Sequence, residues 1–165
     1  MPVEIERKFL IKHDGWKSHC VRSVRIRDGL VANSNDCKVR VRISDRKATL
    51  AVKSPQVGIT RSEFEYEVPL IDAEEMLRLC GDRHLEKIRY FVPYAGATWE
   101  INAYEGILSG VVIAEIELQS EKQSFELPDW IGKDVTHDPK YHKFNLLAQR
   151  DLILSEQSER LAQRE

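Results

Sequence analysis

Over its first two-thirds the chain alternates strictly between apolar and polar positions. In VEIERKFLI, Val3, Ile5, Arg7 and Phe9 fall on one face and Glu4, Glu6 and Lys8 on the other, because successive side chains of a strand point to opposite faces. The same period recurs near 21–31, 37–44, 47–54, 61–69, 84–93, 97–105 and 111–120, which predicts eight mostly antiparallel strands. SNDC, SDRK, PQVG and YAGA supply turns between them. One short helix is expected at 72–79, with Asp72 as its cap, Glu74 and Glu75 in the first turn and Gly81 as its stop. DWIGKDVTHDP reads as irregular. Beyond it, Tyr141, Phe144, Leu147 and Ala148 have helical spacing and predict a helix over 139–149. The tail 150–165 reads as further helix, with sparse apolar residues at Leu152, Ile153, Leu154 and Leu161. The fold class is mainly β (α+β), a single domain with its core in 1–149 and its tail in 150–165.

The polar faces are unusual. A half-solvated sheet produces alternation, but its wet face normally mixes Thr, Ser, Gln and Lys. Here the rows carry doublets of one sign: Glu4 and Glu6, Arg25 and Arg27, Arg40 and Arg42, Glu63 and Glu65, Lys87 and Arg89, Glu115 and Glu117. Like charges two residues apart repel unless something compensates. Clustered carboxylates are ligands for hard divalent cations, and clustered Arg and Lys suit phosphate. If the strands close into a barrel, the charged faces meet inside and form a wet tunnel for a metal-bound phosphate chain. The apolar faces then point outward, to be covered by helices or by a second copy of the chain.

Composition narrows the picture without changing it. The 165 residues are 42% hydrophobic and 32% charged, with a net charge of -2. That balance argues against a nucleic-acid partner bound by overall positive charge. Cys20, Cys37 and Cys80 are odd in number and lack zinc spacing. Reduced thiols, together with Glu4 and Glu6 where a signal peptide would need an apolar run, predict a cytoplasmic protein with no membrane partner.

The residues also carry a resemblance. EIERK resembles the Glu-x-Glu-x-Lys signature of the CYTH superfamily, the triphosphate tunnel metalloenzymes. VRVRI, LAVKS, RSEFEYEV, EKIRY, WEINAYEG, AEIEL and IGKDVTHDPKY resemble family segments in the family order, up to about Gln149. Three positions depart from the pattern. Asn102 stands where the family commonly has aspartate, and Asp134 where glutamate is usual. HKFN follows Tyr141, where short bacterial members place Asn sooner.

The resemblance implies an eight-stranded antiparallel β-barrel tunnel with a few covering helices. Glu4, Glu6, Glu115, Glu117 and Asn102 would hold Mg²⁺ or Mn²⁺. Lys8, Arg40, Arg42, Lys53, Lys87 and Arg89 would hold a small-molecule triphosphate. Lys87 would also stabilise charge on the phosphoryl group, and Glu63 and Glu65 would hold the attacking water or a second metal. The implied reaction is hydrolysis of inorganic tripolyphosphate to pyrophosphate and phosphate. Class IV adenylate cyclase and thiamine triphosphatase are alternatives within the family, and a non-catalytic polyphosphate or nucleotide sensor is one of another class. Trp16, Trp99 and Trp130 read as packing residues rather than a thiamine platform. Lys140, Lys143 and Arg150 read as a solvated helix face. A homodimer is compatible with the sequence.

Overall fold

A computed structural model describes residues 2–162. Its strands are β1 (Val3–Ile11), β2 (Arg22–Asn33), β3 (Lys38–Ser44), β4 (Lys47–Lys53), β5 (Thr60–Val68), β6 (His84–Tyr94), β7 (Ala97–Tyr104), β8 (Val112–Glu117) and β9 (Ile131–Asp134), with α1 (Leu70–Cys80) and α2 (Arg150–Ala162). All pairings are antiparallel, in the order β5-β4-β3-β2-β6-β7-β8-β1, and β5 pairs with β1 to close an eight-stranded barrel.

The closing seam is shared. One edge of β1 pairs with β8 over Glu6–Leu10. The other pairs with β5 over Val3–Ile5 and with β9 around Phe9 and Ile11. Between them the Lys8 amide donates to Thr136 Oγ1 at 3.0 Å and the Val135 amide to Lys8 O at 2.8 Å. The barrel therefore has no open edge there. The strand β9 lies within the segment expected to be irregular; at four residues it is too short to show a period.

Apolar side chains cover the barrel from outside, in two clusters. Phe9, Trp99, Ile101, Ala114 and Ile116 pack under Trp16 and Trp130, with Trp99 edge-on to Phe9, Phe125 and Trp130. Val41, Ile43 and Ala48 pack under Ala73, Leu77 and Cys80 of α1. Helix α1 starts at Pro69 with no side-chain cap, so Asp72 sits inside its first turn instead of capping it, and Gly81, at φ 58, ends it. Gly29 lets α1 approach β2: a Cβ there would lie 2.6 Å from Cys80 Sγ and 2.9 Å from Leu77 Cδ2.

A third cluster closes one end of the interior. Leu10, Leu85, Tyr104 and Ile113 continue the inward rows of β1, β6, β7 and β8, and they meet Tyr141, Leu146 and Ile153 of the C-terminal segment. The helix expected over 139–149 is replaced by two 3₁₀ turns, Pro139–Tyr141 and Lys143–Asn145, separated by extended His142 at ψ 133. The helical tail is present as α2 to Ala162, and residues 163–165 of that expectation lie outside the described residues. Among the described residues no helix is long and apolar enough to cross a membrane.

Candidate functional site

The inward faces of the strands enclose a cavity of about 510 Å³ whose charges are segregated. Its acidic wall is made by β1, β8 and β7. Glu6 stands opposite Glu117, Lys8 opposite Glu115, and Glu115 opposite Glu100. Its cationic wall comes from β3, β4 and β6, with Arg40, Arg42, Lys53 and Arg89 on the lining. Strand β5 adds Arg61, Glu63 and Glu65 between them. The one-sign doublets thus come from walls that face each other. Those of β2 do not: Arg25 and Arg27 point outward, to Glu105 and to Glu74 of α1, and Val24, Ile26 and Asp28 point inward.

In this arrangement the acids are held by the protein's own cations. Lys53 Nζ lies 3.3 Å from Glu4 and 2.8 Å from Glu63, and Arg61 reaches Glu4 at 2.9 Å. Arg40 pairs with Glu65 at 2.9 Å, Arg89 with Glu100 at 3.0 Å and Glu115 at 3.5 Å. Lys8 Nζ is 3.9 Å from Glu6 and 4.0 Å from Glu115.

Burial pushes the Glu4 carboxyl up, but its hydrogen bond with Glu63 and the Lys53 and Arg61 charges outweigh this and hold it well below the carboxylate range. For Glu63 burial and the same hydrogen bond act together, and its carboxyl is raised. Burial also opposes ionisation of Glu115, where Lys8, Lys87 and Arg89 prevail and keep it ionised. Glu6 is different: burial and then the Glu115 charge push it up to about 7. Glu117 is raised by burial and then by Glu100 and Glu4. Glu6 and Glu117 are therefore the carboxyls of this wall that the neighbouring cations compensate least.

Carboxylates are hard oxygen donors, and Glu4, Glu6, Glu115 and Glu117 could hold a divalent cation at this wall. Among the described residues, no three carboxylate, imidazole or thiol groups converge closely enough to cage an ion by themselves. Mg²⁺ commonly takes only one or two carboxylates and fills its shell with water and substrate phosphate, so the donor set suits an ion that arrives with a phosphate chain.

Behind the lining lie residues that do not touch the cavity. The Asn102 side chain is fully buried, and its Oδ1 accepts from Arg89 Nε at 2.9 Å. The oxygen that the resemblance would give to a metal is thus engaged by an arginine. Lys87, 1% exposed, has no hydrogen-bond partner for its ammonium among the described residues; burial and then the Arg89 charge push it down to about 7.

Sequence reasoning missed five charged residues. Lys38, Arg61 and Glu100 share faces with residues that it did assign. Asp28 sits in a row otherwise apolar. Lys143, read as part of a solvated face, is carried by the second 3₁₀ turn onto the cavity lining beside His142 and Phe144. Lys140 does lie outside, paired with Glu156 and 3.6 Å from Asp138, and Arg150 donates to Ile107 O. Trp16, Trp99 and Trp130 all belong to the outer packing, and the aromatic rings on the cavity lining among the described residues are the Phe144 phenyl and the His142 imidazole.

Residues 2–153 match the family model of the CYTH domain. An inorganic triphosphatase of Acetivibrio thermocellus is 44% identical over 148 residues, spanning 89% of this chain and 94% of that protein. An inorganic triphosphatase of Nitrosomonas europaea is 31% identical over 144 residues, spanning 84% and 92%. The crystal structure of an inorganic triphosphatase has a TM-score of 0.63 at 30% identity, covering 93% of this chain and 96% of that one.

Proposed function

The chain belongs to the CYTH domain family, and from that premise we propose that it hydrolyses inorganic tripolyphosphate to pyrophosphate and phosphate with Mg²⁺ or Mn²⁺. The observation that carries this reading is the cavity's division into an acidic wall, in which Glu6 is poorly compensated, and a cationic wall facing it. Both curated relatives are named inorganic triphosphatases and align over nearly their whole length. Among the described residues the lining has no Trp or Tyr, and its aromatic rings are Phe144 and the His142 imidazole alone.

Hydrolysis of a phosphoanhydride needs the chain's charge neutralised, a water in line and a stabilised leaving group. Arg40, Arg42, Lys53, Arg89 and Lys8 bind and orient the phosphates through charge-assisted hydrogen bonds. A divalent ion held by Glu4, Glu6, Glu115 and Glu117 supplies neutralisation of the phosphate oxygens when bound. Glu63 and Glu65, on the inward face of β5, hold the attacking water, whose proton passes to a phosphate oxygen of the products. The water oxygen bonds to the terminal phosphorus, the bridging P–O bond breaks, and pyrophosphate leaves with its new charge facing the arginines. Lys87, in the same row of β6 as Arg89 and below the lining, adds positive charge when protonated.

A phosphate-release panel of tripolyphosphate, ATP, thiamine triphosphate and pyrophosphate tests the reading. Tripolyphosphate should be the best substrate by kcat/KM. Faster turnover of ATP or thiamine triphosphate would replace it with another family activity. Tight tripolyphosphate binding without release of phosphate would make the protein a sensor.

A further inference from the structure

Asp28 stands apart from every other carboxylate of the barrel interior. It lies on β2, between β3 and β6, whose inward rows supply Arg40, Arg42, Lys87 and Arg89. It is thus on the side opposite the acidic wall of β1 and β8. Its carboxylate is 1% exposed and spans the Arg42 guanidinium, accepting from Nε at 2.7 Å and from Nη2 at 2.9 Å. Lys143 Nζ approaches it at 3.1 Å and Lys87 Nζ at 3.9 Å. One buried anion therefore gathers cations from three separate segments: β3, β6 and the turn that follows His142. Two of the three, Arg42 and Lys143, line the cavity.

From this geometry we propose that Asp28 is a positioning residue of the phosphate site, an internal counter-ion that latches Lys143 of the C-terminal segment onto the barrel and fixes the Arg42 guanidinium, so that Lys143 joins the groups that grip the phosphate chain. The inference rests on reading the cavity as a triphosphate site. Seated by a fixed anion, the two cations are held in place before substrate arrives, so little side-chain freedom is lost on binding. A bidentate carboxylate orients the guanidinium plane better than solvent can. Burial pushes Asp28 toward the neutral form, but Arg42, Lys143 and Lys87 outweigh it and keep it ionised.

Tripolyphosphate binding in metal-free buffer, measured by calorimetry on the full chain, tests the proposal. Removing the anion frees Lys143 and the Arg42 guanidinium, so Asp28→Asn should bind about tenfold more weakly than wild type. Lys143→Met removes a gripping cation and should also bind about tenfold more weakly. Asp28 acts through Lys143 and Arg42, so Asp28→Asn/Lys143→Met should lose less than the product of the two single losses. With metal present, KM of Asp28→Asn should rise, whereas a purely structural role would lower the melting temperature and leave affinity unchanged. Unchanged affinity in Lys143→Met or in folded Asp28→Asn, or losses that multiply in the double variant, would overturn the proposal. Should Asp28→Asn not fold, Lys143→Met decides alone: it must fold and bind more weakly. If the affinities follow this pattern but wild type releases no phosphate, hydrolysis is wrong and the counter-ion role stands. If wild type turns over and the pattern is absent, the counter-ion role fails alone.

Discussion

Arg89 is held from behind by Asn102, whose Oδ1 accepts from its Nε at 2.9 Å, and its remaining N–H groups face Glu100 and Glu115. A guanidinium fixed on one side is pre-oriented for phosphate on the other. Asn102→Ala should therefore raise KM for tripolyphosphate by about tenfold, the worth of one charge-assisted hydrogen bond. The metal concentration for half-maximal rate should stay the same. A shift in that midpoint with KM unchanged would make Asn102 a metal ligand instead.

Glu6 carries the clearest sign that the acidic wall is incomplete without a cation. Glu6→Gln keeps size and removes one charge, so turnover should be lost at saturating metal while the protein stays folded. The pH dependence has a definite direction. The Glu6 carboxyl titrates at about 7 folded against 4.5 in its ordinary state, so its protonated form stabilises the fold fully below the lower value. That contribution is lost as pH rises through the upper one. In chelator, Glu6→Gln should melt above wild type at pH 8, by up to about 3 kcal/mol in stability, and the gap should close toward pH 4.5. Wild type melting at or above the variant across that range would contradict the assignment.

Arg40 lines the cavity at 4% exposure and pairs with Glu65, and its Nε has no partner among the described residues. Arg40→Met keeps the stem and removes the donors. Binding of tripolyphosphate should weaken by about 1.5–3 kcal/mol, roughly tenfold or more in KM. A melting temperature that falls with KM unchanged would make Arg40 a structural partner of Glu65.

The close approach of α1 to β2 depends on Gly29. Gly29→Ala would place a methyl group against Cys80 Sγ and Leu77. Overpacking of this kind costs about 1–3 kcal/mol. Chemical denaturation should show a lower midpoint with an unchanged slope. An equal midpoint would mean that the helix moves away freely.

Much of the site was legible because doublets of like charge at i and i+2 have few stable homes, and a barrel interior shared with the opposite sign is one. Glu4 with Glu6, and Arg40 with Arg42, were readable on that ground alone. The rule failed on β2, where Arg25 and Arg27 satisfy Glu105 and Glu74 outside. Its inward row is Val24, Ile26, Asp28 and Leu30, and a single carboxylate in an apolar row was the overlooked signal of a buried, compensated charge. Lys143 was lost for another reason: the spacing of Tyr141, Phe144 and Leu147 imitates a helix, whereas extended His142 turns the following lysine inward. No local pattern reports that turn.

The most direct measurement follows tripolyphosphate by ³¹P NMR in the presence of the protein. With Mg²⁺ or Mn²⁺ the account predicts that its resonances give way to equal amounts of pyrophosphate and phosphate. Conversion should stop in excess chelator, and added Ca²⁺, which accepts looser geometry, should slow it. Conversion that continues unchanged in chelator, or tripolyphosphate that survives intact with metal present, would contradict the account.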